Sequence, residues 1–551
     1  MVDKEQEKEK LKNFINRSQE KFVYQQLPGS QVFFKVPIDR KKATVVVLGD
    51  VGRSPRMCYH AYSLATVLNY DVTVVSYLDS KPHSKIVENE HITIQPISAP
   101  PAMNFGPEWL QMLLKLVWTF GVLLFTLLFR TSWTCDLILM QNPPAIPTAP
   151  VCWLVARLKG AHFVIDWHNY MYSILRDKYG FQNISFDPLT EPVVEQNETT
   201  NAVKDSGKKR REDRNAAGAA VAKKKKEKSE KKDTPRTFRL RFVEWIYRLE
   251  RWFGSRADGG LCVTKAMQKD LFSNWKIPSA VFYDRPPSWK FGNTTEEDKH
   301  ELFMRLGQEY PIFGVDLMTD SNKFTEMKDG KVYWKEDRPM IVMSSTSWTL
   351  DEDFSILLEA IIKYNEIAHI DIGSAASKRL PSILLVITGK GPTKAHYLDK
   401  IARFNMDKVK VITPWLEAAD YPKMLAAADI GVSLHTSTSG LDLPMKVVDM
   451  FGSGIPVLAK NFACIGELVV DKKNGYLFDS FKDLQDQLMT LATGFPNHCQ
   501  DLLALKENVR TEKLETWEET WLTTVASVVT PPENHALLRT LASEPDDSDS
   551  D

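Results

Sequence analysis

The sequence predicts an α/β protein of two Rossmann-like domains facing a cleft. Three observations lead there. Apolar, β-branched runs alternate with stretches of helical periodicity in both halves of the chain. The strand-to-helix junctions carry glycine and small polar residues, as ligand-facing turns of doubly wound sheets do. The length of 551 residues exceeds one ordinary core, so two large domains are expected. Hydrophobic residues at 43% and charged residues at 26% are globular values, which excludes a fibrous or wholly disordered chain. Six cysteines lie far apart, with no C-x-x-C pair and no histidine cluster beside them. Neither a disulfide framework nor a zinc site is expected, and a reducing compartment fits.

In order along the chain, residues 1–43 read as a charged, partly helical leader without the apolar run of a signal peptide. An N-terminal Rossmann-like domain follows over 44–290. Its first strand, KATVVVLGD, runs into a loop from Asp50 to Arg56 with Gly52, Arg53 and Ser54, then into the helix SPRMCYHAYSLATVLN. That loop has the spacing of neither a P-loop nor G-x-G-x-x-G, so it is either an anion-facing loop or an ordinary first turn. The strands YDVTVVSYL, HITIQPI, CDLILMQNPPA and HFVIDWHN continue the pattern, with a helix from Thr148 to Leu158 between the last two. A second Rossmann-like domain, 338–490, repeats it with PMIVMSSTSW, SILLVITGKGP, VKVITPWL, ADIGVSLHTS and IPVLAK. A helical segment (491–530) and an acidic tail (540–551) close the chain.

Two stretches interrupt this order. Residues 188–238 are polar and Lys-rich, with 14 Lys/Arg against 6 Asp/Glu between Lys204 and Arg236. Too little apolar surface is available there to offset chain entropy, so a disordered, solvated spacer is expected, the alternatives being attraction of KKKKEK to anionic lipid or a nuclear signal. WLQMLLKLVWTFGVLLFTLLF (109–129) is long enough to span a bilayer, with Lys115 as its one charge. Spanning would separate strands that must share one sheet. Membrane contact without crossing is therefore expected, the alternative being a buried core helix.

The densest chemistry lies in SLHTSTSGLDLPMKVVDMFGSGIPVLA. Pro444 stands where a helix begins, and Lys446 and Asp449 are expected to share one face of it. The small-polar loop with Ser439, Gly440 and Asp442, together with Lys446, suits a diphosphate; Asp449 suits ribose hydroxyls. Glu467 lies in another polar turn at the same mouth. Gly389 and Gly391 open a strand-to-helix turn, and Ser345 and Thr346 end the strand expected to line the cleft. Asp351-Glu352-Asp353 spells D-x-D, a metal signature elsewhere, but it opens a helix where N-capping explains it, so no metal is expected.

The order P-x-x-x-x-acid-x-x-G-x-G-x-P-V resembles glycosyltransferases of the two-Rossmann GT-B type. GDVGRSPRMCYHA, DWHNYMYSIL, LCVTKAMQKDL, MSSTSWTLDEDFSILLEA and SGLDLPMKVVDMFGSGIPV closely resemble, within that type, the β-1,4-mannosyltransferases that act on chitobiosyl-diphosphodolichol. The resemblance covers about residues 44–525. It implies GDP-mannose as donor, dolichol-diphosphate-linked chitobiose as acceptor, no required cofactor and no nucleic acid. It also implies residence at the endoplasmic reticulum membrane with the catalytic domains on the cytosolic face, beside other mannosyltransferases of the dolichol pathway. Many retaining GT-B enzymes carry two glutamates with seven residues between them; here Asp442 and Asp449 have six between them. That spacing weakens a retaining assignment. The resemblance itself implies inversion, since an α-linked donor gives a β product by one in-line displacement; a retaining α-mannosyltransferase or an inactive GT-B scaffold are the alternatives. An inverting displacement needs a base for the acceptor hydroxyl, and Asp50, Asp166 and His168 follow strands whose ends face the cleft. His60, inside a helix, reads as structural, and Arg53 as the contact of its loop with the substrate's charged groups.

Overall fold

The computed structural model describes residues 22–26, 33–37 and 40–531, apart from 103–105, 182–183, 185–237, 350–351, 371–378 and 513. Most of the 1–43 leader, nearly all of the 188–238 insert and the 540–551 tail lie outside that set. Within the leader, Phe22–Gln26 (β1) and Phe33–Pro37 (β2) pair antiparallel rather than forming helix. Both segments are rich in aromatic and β-branched residues, which favour a pleated strand over helix.

The N-terminal sheet has seven parallel strands: β3 (Lys41–Asp50), β4 (Tyr70–Tyr77), β5 (Ile92–Pro96), β6 (Leu137–Asn142), β7 (His162–Trp167), β8 (Gly259–Cys262) and β9 (Ala280–Val281). Their order is β5-β4-β3-β6-β7-β8-β9. β10 (Thr325–Lys328) and β11 (Lys331–Trp334) form a separate hairpin. The second sheet is also parallel: β12 (Met340–Ser345), β13 (Ile383–Thr388), β14 (Val409–Ile412), β15 (Ile430–Ser433), β16 (Val457–Lys460) and β17 (Gly475–Phe478), in the order β14-β13-β12-β15-β16-β17. Sheets covered by helices on both faces bury whole strands, which is why these runs are apolar without alternation. All six side chains of β13 are buried.

Right-handed crossovers decide which face each helix covers. In the first sheet the chain steps outward from β3 to β4 and β5, and helix Pro55–Thr66 covers one face. It then crosses to β6 and steps the other way through β7 and β8. Helices Glu108–Phe129, Thr148–Lys159 and Phe238–Gly254 therefore share the opposite face. Leu123 and Leu127 are fully buried on that face, with Ile138, Cys152, Val155 and Phe163.

The segment 491–530 divides between the domains. Helix Gln500–Thr511 packs Leu502 and Leu505 into the second domain. Beyond it, Trp517, Trp521, Val525, Ala526 and Val529 return to the core of the first. Trp517 Nε1 donates to Ser63 Oγ and Trp521 Nε1 to His60 Nδ1, each at 2.9 Å. A Cβ on Gly259 would stand 3.0 Å from Val528 Cγ1, so glycine in β8 admits this segment. The N-terminal domain is completed by the chain's last described helices.

Candidate active site in the interdomain cleft

On the N-terminal side, β3 delivers Asp50 to the cleft mouth. Its carboxylate accepts from the backbone N–H groups of Gly52 (3.3 Å), Asp79 and Ser80 (3.2 Å each), and from the Ser80 hydroxyl. Burial raises this carboxyl, but those hydrogen bonds outweigh it and hold it below the ordinary aspartate value. Asp50, expected as a candidate base, instead ties two loops together. Gly52 is required by the same junction, since a Cβ there would lie 2.5 Å from Ser80 Oγ. Ser54 donates to the backbone oxygen of Asp50 at 3.2 Å. Arg53, its side chain 79% exposed, is the member of the loop that faces solvent.

β7 ends in Asp166-Trp167-His168. Asp166, fully buried, accepts from Arg56 Nε (2.8 Å), Arg56 Nη2 (2.9 Å) and His168 Nε2 (2.8 Å). His60 Nε2 stands 3.2 Å from the same Oδ2. Since His60 Nδ1 accepts from Trp521, its proton is on Nε2, and burial keeps the ring neutral; the structural reading of His60 fits. Desolvation works against the Asp166 carboxylate, yet the Arg56 charge and the two imidazoles hold it well below the usual range. With no exposed surface, Asp166 cannot meet substrate as a base. It orients His168 instead. His168 donates its Nε2 proton to Asp166, which leaves the Nδ1 lone pair as the basic site, on a half-buried ring. Arg56 Nη1 also binds Asp284 at 2.8 Å, extending the ionic cluster to the linker between the domains.

On the C-terminal side, Ser345 and Thr346 close β12. Thr346 and Ser347 N–H (2.8 Å) both donate to Glu352, and Lys446 Nζ pairs with the other oxygen of that carboxylate. Gly389 (φ +120°) and Gly391 lie where a Cβ would overlap the carbonyl oxygens of Thr346 and Ser347. Both glycines therefore serve loop-on-loop packing, and the packed turns form one wall of the cleft. Lys446 and Asp449, three apart on helix Met445–Gly452, reach different partners rather than one shared point. Asp449 receives the Tyr421 hydroxyl, and burial pushes its carboxyl up to about 6 against the opposing pull of Lys290. Tyr421 continues to Ser345 Oγ (3.2 Å), and Ser345 to Thr388 (3.2 Å).

The walls meet at several points. Asn169 Nδ2 reaches Thr438 Oγ1 (3.3 Å) and Asp442 Oδ1 (3.4 Å), so the turn after β7 abuts the 437–442 loop. Within that loop Ser437 donates to Asp442, Ser439 Oγ accepts from Leu441 N–H, and Gly440 takes φ +74°. Thr264 donates to the backbone oxygen of Leu441 at 2.6 Å. Glu467, expected at the substrate, accepts from Lys265 N–H (2.8 Å), Ala266 N–H (2.9 Å) and Tyr283 Oη (2.8 Å). Both its oxygens are engaged, so it latches the domains together.

In the D-x-D stretch Asp351 lies outside the described residues. Glu352 points inward to Lys446, while Asp353 accepts from Ser355 N–H at 3.0 Å at the start of helix Phe354–Ile370. These two acids diverge. Arg56, expected in the substrate-facing loop, is instead buried between Asp166 and Asp284, whereas Asp284, Glu352, Lys290 and Tyr421 were not singled out from sequence. For Glu352 the signal was present: the middle of three consecutive acids directly ahead of a helix.

Residues 352–493 match the family model described as "Glycosyl transferases group 1". The fold resembles a sucrose-phosphate synthase from Thermosynechococcus elongatus at TM-score 0.53 and 11% identity, over 92% of this chain and 100% of that one. The chain is 37% identical to the UDP-glycosyltransferase TURAN of Arabidopsis thaliana, covering 88% of this chain and 96% of that protein. It is 38% identical over 496 residues to the chitobiosyldiphosphodolichol beta-mannosyltransferase of Homo sapiens, covering 89% of this chain and 92% of the relative. With that coverage and two parallel Rossmann-like domains around one cleft, the chain belongs to the family of chitobiosyldiphosphodolichol β-mannosyltransferases, hexosyltransferases of the GT-B fold.

Proposed function

We infer that the chain transfers mannose from GDP-mannose to dolichol-diphosphate-linked chitobiose in a β-1,4 linkage, with inversion at the anomeric carbon. The acceptor follows the printed names of the human relative and its counterparts. The observation that carries the mechanism is His168, half-buried, with Nε2 committed to Asp166 and Nδ1 free to take a proton.

In this reading the acceptor 4-hydroxyl gives its proton to His168 Nδ1 as its oxygen attacks the anomeric carbon. The bond from that carbon to the diphosphate oxygen breaks, and GDP departs with its electron pair. Asp166 holds the imidazole in the required tautomer and stabilises the imidazolium that forms. Lys446, the first N–H groups of helix Met445–Gly452 and the 437–442 loop receive the charge on the leaving diphosphate. Asp449 accepts the ribose hydroxyls, and exposed Arg53 meets the acceptor's diphosphate. No cofactor is called for. The exposed apolar helix Glu108–Phe129 lies along the cytosolic face of the endoplasmic reticulum, where the lipid acceptor and other mannosyltransferases of its pathway are found.

The test is purified full-length protein with a chitobiosyl-diphosphate lipid and either GDP-mannose or UDP-sugars. A linkage-specific mannosidase then reads the product anomer. A β-linked product from GDP-mannose is expected. An α-linked product, or turnover with a UDP-sugar alone, overturns the reading.

A further inference from the structure

Helix Glu108–Phe129 does not end its apolar surface at its own edge. It packs on helix Thr148–Lys159, whose Leu154 (37%) and Leu158 (57%) are exposed. Lys159 Nζ donates to Leu127 O (2.6 Å) and Ser132 O (2.8 Å), capping the C-terminus of the long helix. The third helix of the layer, Phe238–Gly254, follows directly. Its Trp252 meets Trp153 of the middle helix at 6.0 Å, edge to face. This third helix is amphipathic in an unusual sense. Val243, Ile246, Tyr247 and Glu250 point inward, whereas Arg241, Trp245, Arg248 and Trp252 point outward. The steps of four, three and four residues put those outward side chains in one stripe. Arg256 lies 3.3 Å over the Trp252 ring, adding a further cation at its end.

A soluble surface rarely keeps two tryptophans near half exposure in a row between arginines. Indole rings settle at the headgroup level of a bilayer, and guanidinium groups pair there with phosphate and carboxylate. The stripe lies in the same helical layer as the long apolar helix, each packing on helix Thr148–Lys159, and on that long helix Val117, Phe125 and Phe129 are 53–65% exposed. The one acid facing into the domain from this helix is Glu250, so the outward face is left cationic except for Glu244, which pairs with Arg248 at 2.9 Å.

We propose that helix Phe238–Gly254 is a second membrane-contacting element, whose Arg/Trp stripe selects bilayers carrying anionic phospholipid. This rests on the reading that helix Glu108–Phe129 lies in the membrane interface. That helix supplies apolar depth, common to any bilayer. The stripe supplies charge recognition, and the two together set the face of the N-terminal domain, and with it the cleft mouth, against the lipid.

The experiment is flotation of the full-length protein with vesicles of phosphatidylcholine alone or mixed with phosphatidylserine, at low and high salt. Three variants are compared: Arg241→Glu/Arg248→Glu, Trp245→Ala/Trp252→Ala, and Val117→Glu/Phe125→Glu. Melting in detergent and turnover of a short-chain acceptor verify that each variant is folded. The wild type is expected to prefer the anionic vesicles, and salt to erase that preference. The arginine variant should lose about tenfold or more of its binding to anionic vesicles and little of its binding to neutral ones. The tryptophan variant should lose binding to both, less steeply. Stripe variants that bind anionic vesicles as the wild type does overturn the proposal. So does a change of oligomeric state without a change in vesicle binding, which assigns the surface to a protein partner. Wild-type binding by Val117→Glu/Phe125→Glu instead overturns the interfacial reading of the long helix, a separate outcome.

Discussion

Lys446 Nζ and Glu352 Oε1 form an ion pair that joins helix Met445–Gly452 to the turn ahead of helix Phe354–Ile370. Glu352 is 5% exposed, and its other oxygen is held by Thr346 and Ser347 N–H. The lysine is therefore fixed at the cleft before any donor arrives. In the donor site proposed here, an entering diphosphate would compete with Glu352 for an ammonium already in place.

Lys446→Ala is expected to weaken GDP-mannose binding. Loss of one charge-assisted contact costs ~1.5–3 kcal/mol, or roughly ten- to a hundredfold in affinity. The variant should also melt earlier, because it leaves Glu352 buried without its cation. Glu352→Gln keeps an acceptor for Thr346 and Ser347 while releasing the lysine, so its donor affinity should not fall. Titration calorimetry with GDP-mannose reads both. Wild-type affinity in Lys446→Ala removes the donor site placed here.

His168→Gln is expected to abolish turnover while leaving donor affinity intact. A positioned base contributes ~10²–10⁴-fold, and glutamine keeps a hydrogen-bond partner for Asp166 without a basic nitrogen. Single-turnover rates with saturating donor separate chemistry from binding. A variant within a few-fold of wild type would exclude His168 as the base. Asp166 is a poorer test, since removing it leaves the buried Arg56 with Asp284 alone and costs about 3–5 kcal/mol of stability.

The two Rossmann-like halves were legible because parallel strands buried on both faces read as unbroken apolar runs. Pro55 and Pro444 marked two helix starts in the same way. Short β8 and β9 left no such run, since the glycines of β8 exist to admit Val528 and Ser279. The return of Trp517 and Trp521 to the first domain joins side chains more than 450 positions apart, beyond any local pattern. The same distance problem hid the roles within the site. Asp166 and His168 are neighbours in sequence, but the arginine that disqualifies Asp166 as a base lies 110 residues earlier. Glu352 was read as the middle of D-x-D, although its partner is 94 residues away.

Donor binding is expected to fall as pH drops through about 6. In the proposed donor site it is the ionised form of Asp449 that accepts ribose hydroxyls, and burial pushes that carboxyl up to about 6. Between pH 8 and pH 5 the fraction ionised drops roughly tenfold, and donor affinity with it. Asp449→Asn should give weak affinity with a flat profile over the same range. An unchanged pH profile in that variant assigns the titration elsewhere.

Stability should fall as pH rises through about 7 because of Glu250. This carboxyl is buried and pushed up to about 7, though Asn142, Met171 N–H and Tyr172 N–H all donate to it. The folded state therefore holds a proton that the unfolded state releases near 4.5. Its contribution is full below 4.5 and lost as pH passes the folded value, with a span on the order of 3 kcal/mol. Glu250→Gln, a mimic of the protonated form, should flatten the melting temperature between pH 5 and 8. A melting curve with the wild-type slope would show that Glu250 does not titrate in this range.

Catalysis is expected to survive metal chelation. A metal-dependent transferase holds a divalent ion between carboxylates that converge on the diphosphate. Here the described acids of the D-x-D stretch diverge: Glu352 is committed to Lys446, Thr346 and Ser347, and Asp353 to the first turn of its helix. In the proposed mechanism the charge on the departing GDP is received by Lys446, the N-terminus of helix Met445–Gly452 and the 437–442 loop. Asp353→Ala should accordingly cost ~1 kcal/mol, the usual value of a helix cap, and lower the melting temperature by a few degrees. At low temperature it should retain most of its turnover, with or without EDTA. The decisive pair of assays is initial rate before and after chelation in wild type and in Asp353→Ala. Activity abolished by EDTA and restored by manganese would sink the mechanism, because it would place the leaving-group charge on an ion rather than on Lys446 and the backbone.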